Sequence, residues 1–167
     1  MVDRVIQQAI AQVHRSTSRS SAITVMWCDK ALRRFKHRVR QLTGRSWGVS
    51  LHYRYRELRL YVVGWTNYFA LSEYYRPIPE LDERLKRRLR CCYWKQWRWP
   101  RTKIKHLVNL GVRLKEAIKT GMSSKVPYAM SRTLITQMAM SNAWLKAQGW
   151  VSIKDQWIRF HYPASTA

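Results

Sequence analysis

The chain has 167 residues, 46% of them hydrophobic, and a formal net charge of +23. This length fits one domain, and the hydrophobic content is sufficient for a core, which excludes a largely disordered chain. The charge is too high for a typical cytosolic enzyme and favours a nucleic acid over an anionic membrane, because no run of about 18 apolar residues occurs.

The first 28 residues predict one short helix and a linker. Residues 1–13 carry apolar side chains at helical spacing, so we expect one amphipathic helix there. Residues 14–28 begin with a stretch rich in Ser, Thr and Arg, which is typical of a linker. We assign residues 29–110 to a helical bundle and residues 111–167 to a C-terminal helical extension.

The bundle is predicted to contain three amphipathic helices, because its apolar residues recur at intervals of three and four. The first covers 29–43 with Asp29 as its N-cap, the second begins after Ser50 and continues to about residue 71, and the third runs from about residue 79 to Pro100. Gly64 interrupts the second at a cost of about 1 kcal/mol relative to alanine, so we expect a neighbouring backbone beside it. The predicted core includes Trp65, Tyr68, Phe69, Leu85 and Leu89.

The C-terminal part predicts shorter helices separated by glycines. Residues 102–110 and 114–120 form two of them, each followed by a glycine that ends the helix. Residues 121–132 resemble a loop, 133–148 return to helix, and Gly149 precedes an aromatic tail. Only short pieces such as 150–154 could be strands. The sequence therefore predicts an all-α protein, a small bundle with additional short helices.

Groups that could perform catalysis are scarce. Of the nine acids only Glu80, Asp82 and Glu83 cluster, and the N-terminus of the third helix explains them as capping and dipole-compensating residues. No carboxylate pair suited to two magnesium ions is visible, and the histidines are scattered without metal-ligand spacing. We therefore predict no catalytic residues, no metal and no cofactor.

The three cysteines form no CxxC pair. Cys91 and Cys92 are adjacent and would point to different sides of a helix, which disfavours a chelating pair. We interpret them and Cys28 as buried apolar thiols in a reducing cytoplasm, so the predicted location is cytoplasmic.

Two basic surfaces are the best candidates for a binding site. Ten Lys or Arg and no acid occur in the 22 residues from Arg84 to Lys105. The predicted helix 29–43 carries a second group of cations, which lie outside its apolar stripe. The cations predicted to contact RNA are Arg33, Arg34, Lys36, Arg38, Arg40, Arg45, Lys86, Arg87, Arg88, Arg90, Lys95, Arg98, Arg101 and Lys103.

Aromatic residues are interleaved with these cations. Trp94, Trp97 and Trp99 cannot all face one core, so at least one is expected to be exposed and able to stack on a base. Some of these aromatic side chains are nevertheless expected in the core, so the cations carry more of the functional hypothesis.

Four motifs resemble the maturase-specific region, also called domain X or thumb, of group II intron-encoded reverse transcriptases. The resemblance covers about 30–152, roughly three-quarters of the chain. The motifs, in the family's order, are FKHRVRQLTGRSWGV (35–49), LRLYVVGWTNYF (58–69), LDERLKRRLRCCYWKQW (81–97) and NLGV (109–112).

Residues 1–13 resemble an early block of the reverse transcriptase domain of the same enzymes. The palm, with its YADD-type metal-binding motif, is missing between the two regions, so the chain looks internally deleted. The family usually carries a Trp-Arg pair where this chain has Tyr128, Ala129 and Met130, which puts the contacts of that segment in doubt.

The resemblance implies binding of group II intron RNA, or another structured RNA, and assistance to intron folding and splicing without a polymerase site. Two alternatives remain open. The chain could be a polymerase fragment that binds a template–primer RNA/DNA duplex, or a generic basic RNA-binding scaffold.

Overall fold

The computed structural model describes residues 28–162 except 45, 70, 71, 73 and 74. The predicted helix at 1–13, the linker up to residue 27, and Arg45 lie outside the described residues. The described part contains helices and no strand, which confirms the predicted all-α class. Its helices are α1 (Asp29–Leu42), α2 (Leu51–Phe69), α3 (Pro77–Gln96), α4 (Pro100–Asn109), α5 (Leu114–Gly121), α6 (Pro127–Met130), α7 (Leu134–Ala139), α8 (Asn142–Ala147) and α9 (Ile153–His161).

Helix α3 is the centre of the fold. It packs against α1, α6 and α9, while α1 and α9 also contact α2. Leu85 and Leu89 on α3 have no solvent exposure, which confirms their prediction as core. Burial of each such side chain stabilises the fold by about 1.5–3 kcal/mol. Since α3 also carries many of the predicted RNA-binding cations, its packing decides which of them can reach a ligand.

Helix α1 buries the predicted apolar stripe, which includes Phe35, Val39 and Leu42. Its N-terminus differs from the prediction by one residue. Cys28 occupies the N-cap position without a side-chain cap hydrogen bond, and Asp29 is the first helical residue. An aspartate in the first turn still compensates the partial positive charge of the helix N-terminus.

Helix α2 buries one side, which includes Tyr55, Leu58 and Val62, and its last aromatic residues are half-buried. Phe35 of α1 lies 4.4 Å from the ring centroid of Trp65, and Phe69 lies 4.8 Å from it. Trp65, Phe69 and Tyr68 are half-buried at the edge of the core, so they are less enclosed than predicted. A Cβ added at Gly64 would meet nothing within 4 Å. The expected close backbone is therefore absent among the described residues.

Glycines end two of the helices as the sequence predicts. Gly111 and Gly149 have φ angles of +86° and +102°, in the left-handed region that glycine adopts without strain. The amide of Val112 donates to the carbonyl of Leu107 at 3.0 Å, and the corresponding bond after Gly149 has the same length. These bonds satisfy carbonyls at the helix end in the manner of a Schellman motif.

Helix α5 ends at Gly121, close to the predicted stop, and Gly121 has a second role in packing. It belongs to α5, and a Cβ at this position would lie 2.6 Å from Cγ1 of Ile104 and 3.4 Å from the carbonyl oxygen of Pro100. The absence of a side chain thus lets α5 approach α4 closely. The two short helices form a pair that extends the bundle.

The segment after α5 is more divided than predicted. The expected loop 121–132 contains the one-turn helix α6, and the expected helix 133–148 is split into α7 and α8. Ser141 caps α8 by accepting a hydrogen bond from the amide of Trp144 at 3.2 Å. The suggested strand at 150–154 is wrong, because Ser152 caps a further helix, α9, through the amide of Asp155. Among the described residues, no helix has the length and apolar character needed to cross a membrane.

Candidate nucleic-acid interface

A cleft of about 750 Å³ lies where α1, α3 and α6 meet. We call it the arginine cleft, because α1 and α3 together contribute four arginines to its wall. It joins the two basic surfaces predicted from the sequence. The lining residues are Arg40, Thr43, Pro79, Glu80, Glu83, Arg84, Arg87, Arg88, Cys91 and Tyr128.

Both acids of the arginine cleft are already paired with lysines. Glu80 accepts a hydrogen bond from Lys36 Nζ at 3.1 Å, and Glu83 pairs with Lys86. Within the described part of the chain, Arg40, Arg84 and Arg87 form no ion pair with an acid. Three guanidinium groups without acidic partners therefore share one concave surface, which attracts polyanions.

Arg88 is turned towards the protein. It donates to Thr43 Oγ1 and to the carbonyl oxygen of Arg40 at 3.2 Å, so it binds the C-terminal end of α1. Burial lowers the pKa of its guanidinium, and the charges of Arg40 and Arg84 lower it further. Arg88 is thus half-buried and shapes the floor of the cleft.

A buried arginine that the sequence analysis did not single out binds the same helix end. Arg54 of α2 donates to the carbonyl oxygens of Leu42 at 3.0 Å, Gly44 at 2.8 Å and Trp47 at 3.1 Å. Its guanidinium also lies 5.3 Å from the ring centroid of Trp47. Positive charge is favourable at a helix C-terminus, where carbonyls lack intrahelical partners. In the sequence, the one indication that Arg54 is buried is its position next to Tyr55, on the buried side of α2.

Two cations predicted to contact RNA are buried instead. Arg90 is 4% exposed and donates from Nε to the carbonyl oxygen of Met140 at 3.0 Å, at the end of α7. Lys86 is 7% exposed, pairs with Glu83, and lies 5.8 Å from the ring centroid of Trp150. The structure therefore buries Arg90 and Lys86, which bind groups of the protein around α3 instead of lying on the basic surface that the sequence predicts.

The other predicted cations remain on the surface to different degrees. Lys36 and Lys103 are half-buried, as is Arg87 in the cleft wall. On α1 and around the start of α4 the remaining ones reach solvent. These exposed cations are Arg33, Arg34, Arg38, Arg40, Lys95, Arg98 and Arg101.

The three tryptophans of the basic stretch divide between core and surface. Trp94 is 1% exposed and Trp97 is 6% exposed, and the imidazole of His106 stacks on Trp97 with ring centroids 4.6 Å apart. This corrects the prediction that Trp94 and Trp97 are candidates for base stacking, because their faces are covered. Trp99 is 65% exposed beside Arg98, so the expectation that at least one is exposed is confirmed.

Asp82, in the acidic cluster at the start of α3, connects α3 to α9. Asp82 accepts hydrogen bonds from Ser152 Oγ at 2.5 Å and from the amide of Ile153 at 2.8 Å, at the N-terminus of α9. Asp82 therefore caps a helix 70 residues away. The sequence had suggested that it caps its own helix, α3. Burial raises the pKa of the Asp82 carboxyl, and these hydrogen bonds oppose part of the rise.

The prediction that all three cysteines are buried holds for Cys91 and Cys92 but is wrong for Cys28. Cys91 and Cys92 are buried on different sides of α3, where their sulfur atoms contact the carbonyl oxygens of Pro127 and Thr43. Cys28 is a free thiol that is only half-buried. The described residues contain no group of three or more His, Cys, Asp or Glu side chains that could hold a metal ion.

Residues 32–111 match the family model for the group II intron, maturase-specific domain. The matched range includes α2, α3, α4 and nearly all of α1, and therefore every arginine of the cleft. The resemblance inferred from the sequence motifs is confirmed over these residues. No curated protein is similar to the chain in sequence. The resemblance of residues 1–13 to a reverse transcriptase block stays a prediction.

Proposed function

We propose that this chain, whose residues 32–111 match the model of the group II intron, maturase-specific domain, binds group II intron RNA and helps it to fold for splicing. In this proposal the intron RNA performs the splicing chemistry. The protein contributes a rigid basic surface and needs no polymerase site of its own.

The observation that carries the proposal is the convergence of Arg40, Arg84 and Arg87 on one cleft without acidic partners among the described residues. Like charges held close together destabilise a fold unless a counter-charge is available, and RNA phosphates provide that counter-charge. Arg38 on α1 and Lys95 on α3 are also exposed and add positive charge to the two helices that carry the cleft arginines. A structured RNA could contact several of them at once.

The proposal separates two kinds of arginine. Arg54, Arg88 and Arg90 donate to backbone carbonyls inside the fold and are assigned to structure. The cleft arginines and the exposed cations of α1 and α4 are assigned to RNA. Phosphate contacts of this kind dominate affinity and make it decrease as salt increases.

A binding comparison tests the proposal. The full chain is titrated against a group II intron RNA and against an unrelated structured RNA of equal length, at about 0.15 M salt. We expect at least tenfold tighter binding to the intron RNA, together with faster splicing when the protein is added. Equal affinity for both RNAs would contradict the maturase proposal and favour a generic basic scaffold.

The same experiment separates the polymerase-fragment alternative. An RNA/DNA duplex is added as a competitor, and primer extension by the protein alone is measured. We expect weak competition and no extension. Competition by the duplex at concentrations below those of intron RNA would instead favour a thumb fragment that binds template and primer.

A further inference from the structure

We propose that the arginine cleft binds an unpaired RNA segment and stacks one of its bases on Tyr128, an inference that rests on the function proposed above. The sequence assigned no binding role to Tyr128. Its place at the wall of the cleft is visible only in the folded chain.

Tyr128 is the aromatic residue that, among the described residues, lines the arginine cleft, and its side chain is 51% exposed. It lies on α6, which packs against α3. The hydroxyl of Ser131 donates to the carbonyl oxygen of Tyr128 at 2.7 Å, and Cys91 Sγ contacts the carbonyl oxygen of Pro127. The Cys91 contact joins α6 to α3, and the Ser131 hydrogen bond lies within the turn that carries the Tyr128 ring.

The Tyr128 side chain is 51% exposed, so part of its ring is open to a base. Among the described residues it packs against no other aromatic ring and lies under no cation. The buried indoles of Trp94 and Trp97 differ in this respect, because other side chains already cover them. An exposed ring among guanidinium groups is a typical platform for a base whose phosphates bind the neighbouring cations.

The combination of ring and arginines favours an unpaired segment over a duplex. A duplex offers phosphates to Arg40, Arg84 and Arg87, but its bases stay stacked on each other and give nothing to Tyr128. An unpaired segment offers both groups at once. The cleft volume of about 750 Å³ lies within the roughly 300–1,000 Å³ typical of ligand sites, which suits one or two nucleotides.

Fluorescence anisotropy with three RNA probes tests this inference. The probes are an unpaired RNA of about 12 nucleotides, an abasic ribose-phosphate strand of equal length and charge, and an RNA duplex with the same number of phosphates. Each is titrated with the wild-type chain and with Tyr128→Ala and Tyr128→Phe. Tyr162→Ala is the matched control, because Tyr162 is also exposed but does not line the cleft.

We expect Tyr128→Ala to weaken binding of the unpaired RNA by roughly five- to a hundredfold, with less than twofold effect on the abasic strand and the duplex. Tyr128→Phe and Tyr162→Ala should bind all three probes like the wild type. Equal weakening for the abasic strand, or no weakening for any probe, overturns the inference. The intron-preference test above compares two RNAs with the wild-type chain, so either result can fail while the other stands.

Discussion

Arg54, Arg88 and Arg90 show how much the role of an arginine depends on the carbonyls around it. Each donates to backbone oxygens at or just beyond the C-terminal end of a helix that lies elsewhere in the chain. A guanidinium suits this role because its planar set of donors can bind several carbonyls together. Part of the positive charge of the chain therefore stabilises the fold directly.

The first prediction concerns Arg54, which binds three backbone carbonyls. Arg54→Ala is expected to lower the free energy of unfolding by roughly 3 kcal/mol, because the carbonyl of Leu42 at the end of α1 and those of Gly44 and Trp47 in the following loop lose a charged donor. Urea unfolding followed by circular dichroism measures this loss.

Arg56→Ala is the control for that prediction. Arg56 is exposed and lies 3.9 Å from Glu57, a surface ion pair that contributes little. We expect a change below about 0.5 kcal/mol. An equal loss in both variants would mean that Arg54 does not hold the end of α1.

The sequence could not distinguish these arginines from the RNA-binding candidates. Arg87, Arg88 and Arg90 lie within four positions on one helix, and their residue type is the same. Only the packing of α1 and α7 against α3 places carbonyls beside two of them. The apolar residues were easier to predict, since Leu85 and Leu89 follow the helical period of a single buried stripe.

At the scale of helices, two glycines illustrate the same difference between pattern and packing. Gly64 interrupts α2 on an open surface, whereas Gly121 lies where α5 touches Ile104 and Pro100 of α4. The sequence alone suggested the opposite, a close approach at Gly64 and a simple helix stop at Gly121. Neighbours that are distant in sequence decided both cases.

Alanine substitution of these glycines should therefore act in opposite directions. Gly64→Ala is expected to raise the free energy of unfolding by about 0.5–1 kcal/mol, because alanine loses less backbone entropy and meets no neighbour. Gly121→Ala should lower it by about 1–3 kcal/mol, because the new Cβ would overlap Ile104.

Thermal and urea unfolding of the two variants measures both changes under the same conditions. A loss of stability in Gly64→Ala would indicate a close neighbour that the open surface does not show. A neutral Gly121→Ala would mean that α4 and α5 separate easily.

The boundaries of the shorter helices depended on single capping groups. The predicted helix 133–148 divides because Ser141 caps α8 while Arg90 binds the carbonyl of Met140. The sequence analysis missed α9 although Ser152 is a local N-cap, and a second group at its N-terminus, Asp82, lies 70 residues earlier in the chain. Local periodicity carries no information on such a partner.

For the molecule as a whole, the cations that give the net charge of +23 have two roles. Some arginines hold helix ends together, and others line a cleft or cover surfaces that face outwards. The sequence predicted a polyanionic partner and the two basic segments, but the cleft at which they meet follows from the packing of α1 and α6 on α3. The central claim about function is that RNA binds at this cleft.

The most direct measurement compares two variants of equal charge for binding to a group II intron RNA. One carries Arg40→Gln, Arg84→Gln and Arg87→Gln in the cleft. The other carries Arg113→Gln, Lys115→Gln and Lys119→Gln, exposed positions at and on α5 that do not line it. Affinity is measured over a series of salt concentrations, after unfolding experiments show equal stability.

We predict that the cleft variant binds at least tenfold more weakly than the wild type. The magnitude of its slope of log affinity against log salt should be smaller by roughly 2. The α5 variant should lose less than threefold. Equal losses in the two variants would contradict the claim, because net charge rather than the cleft would then determine binding.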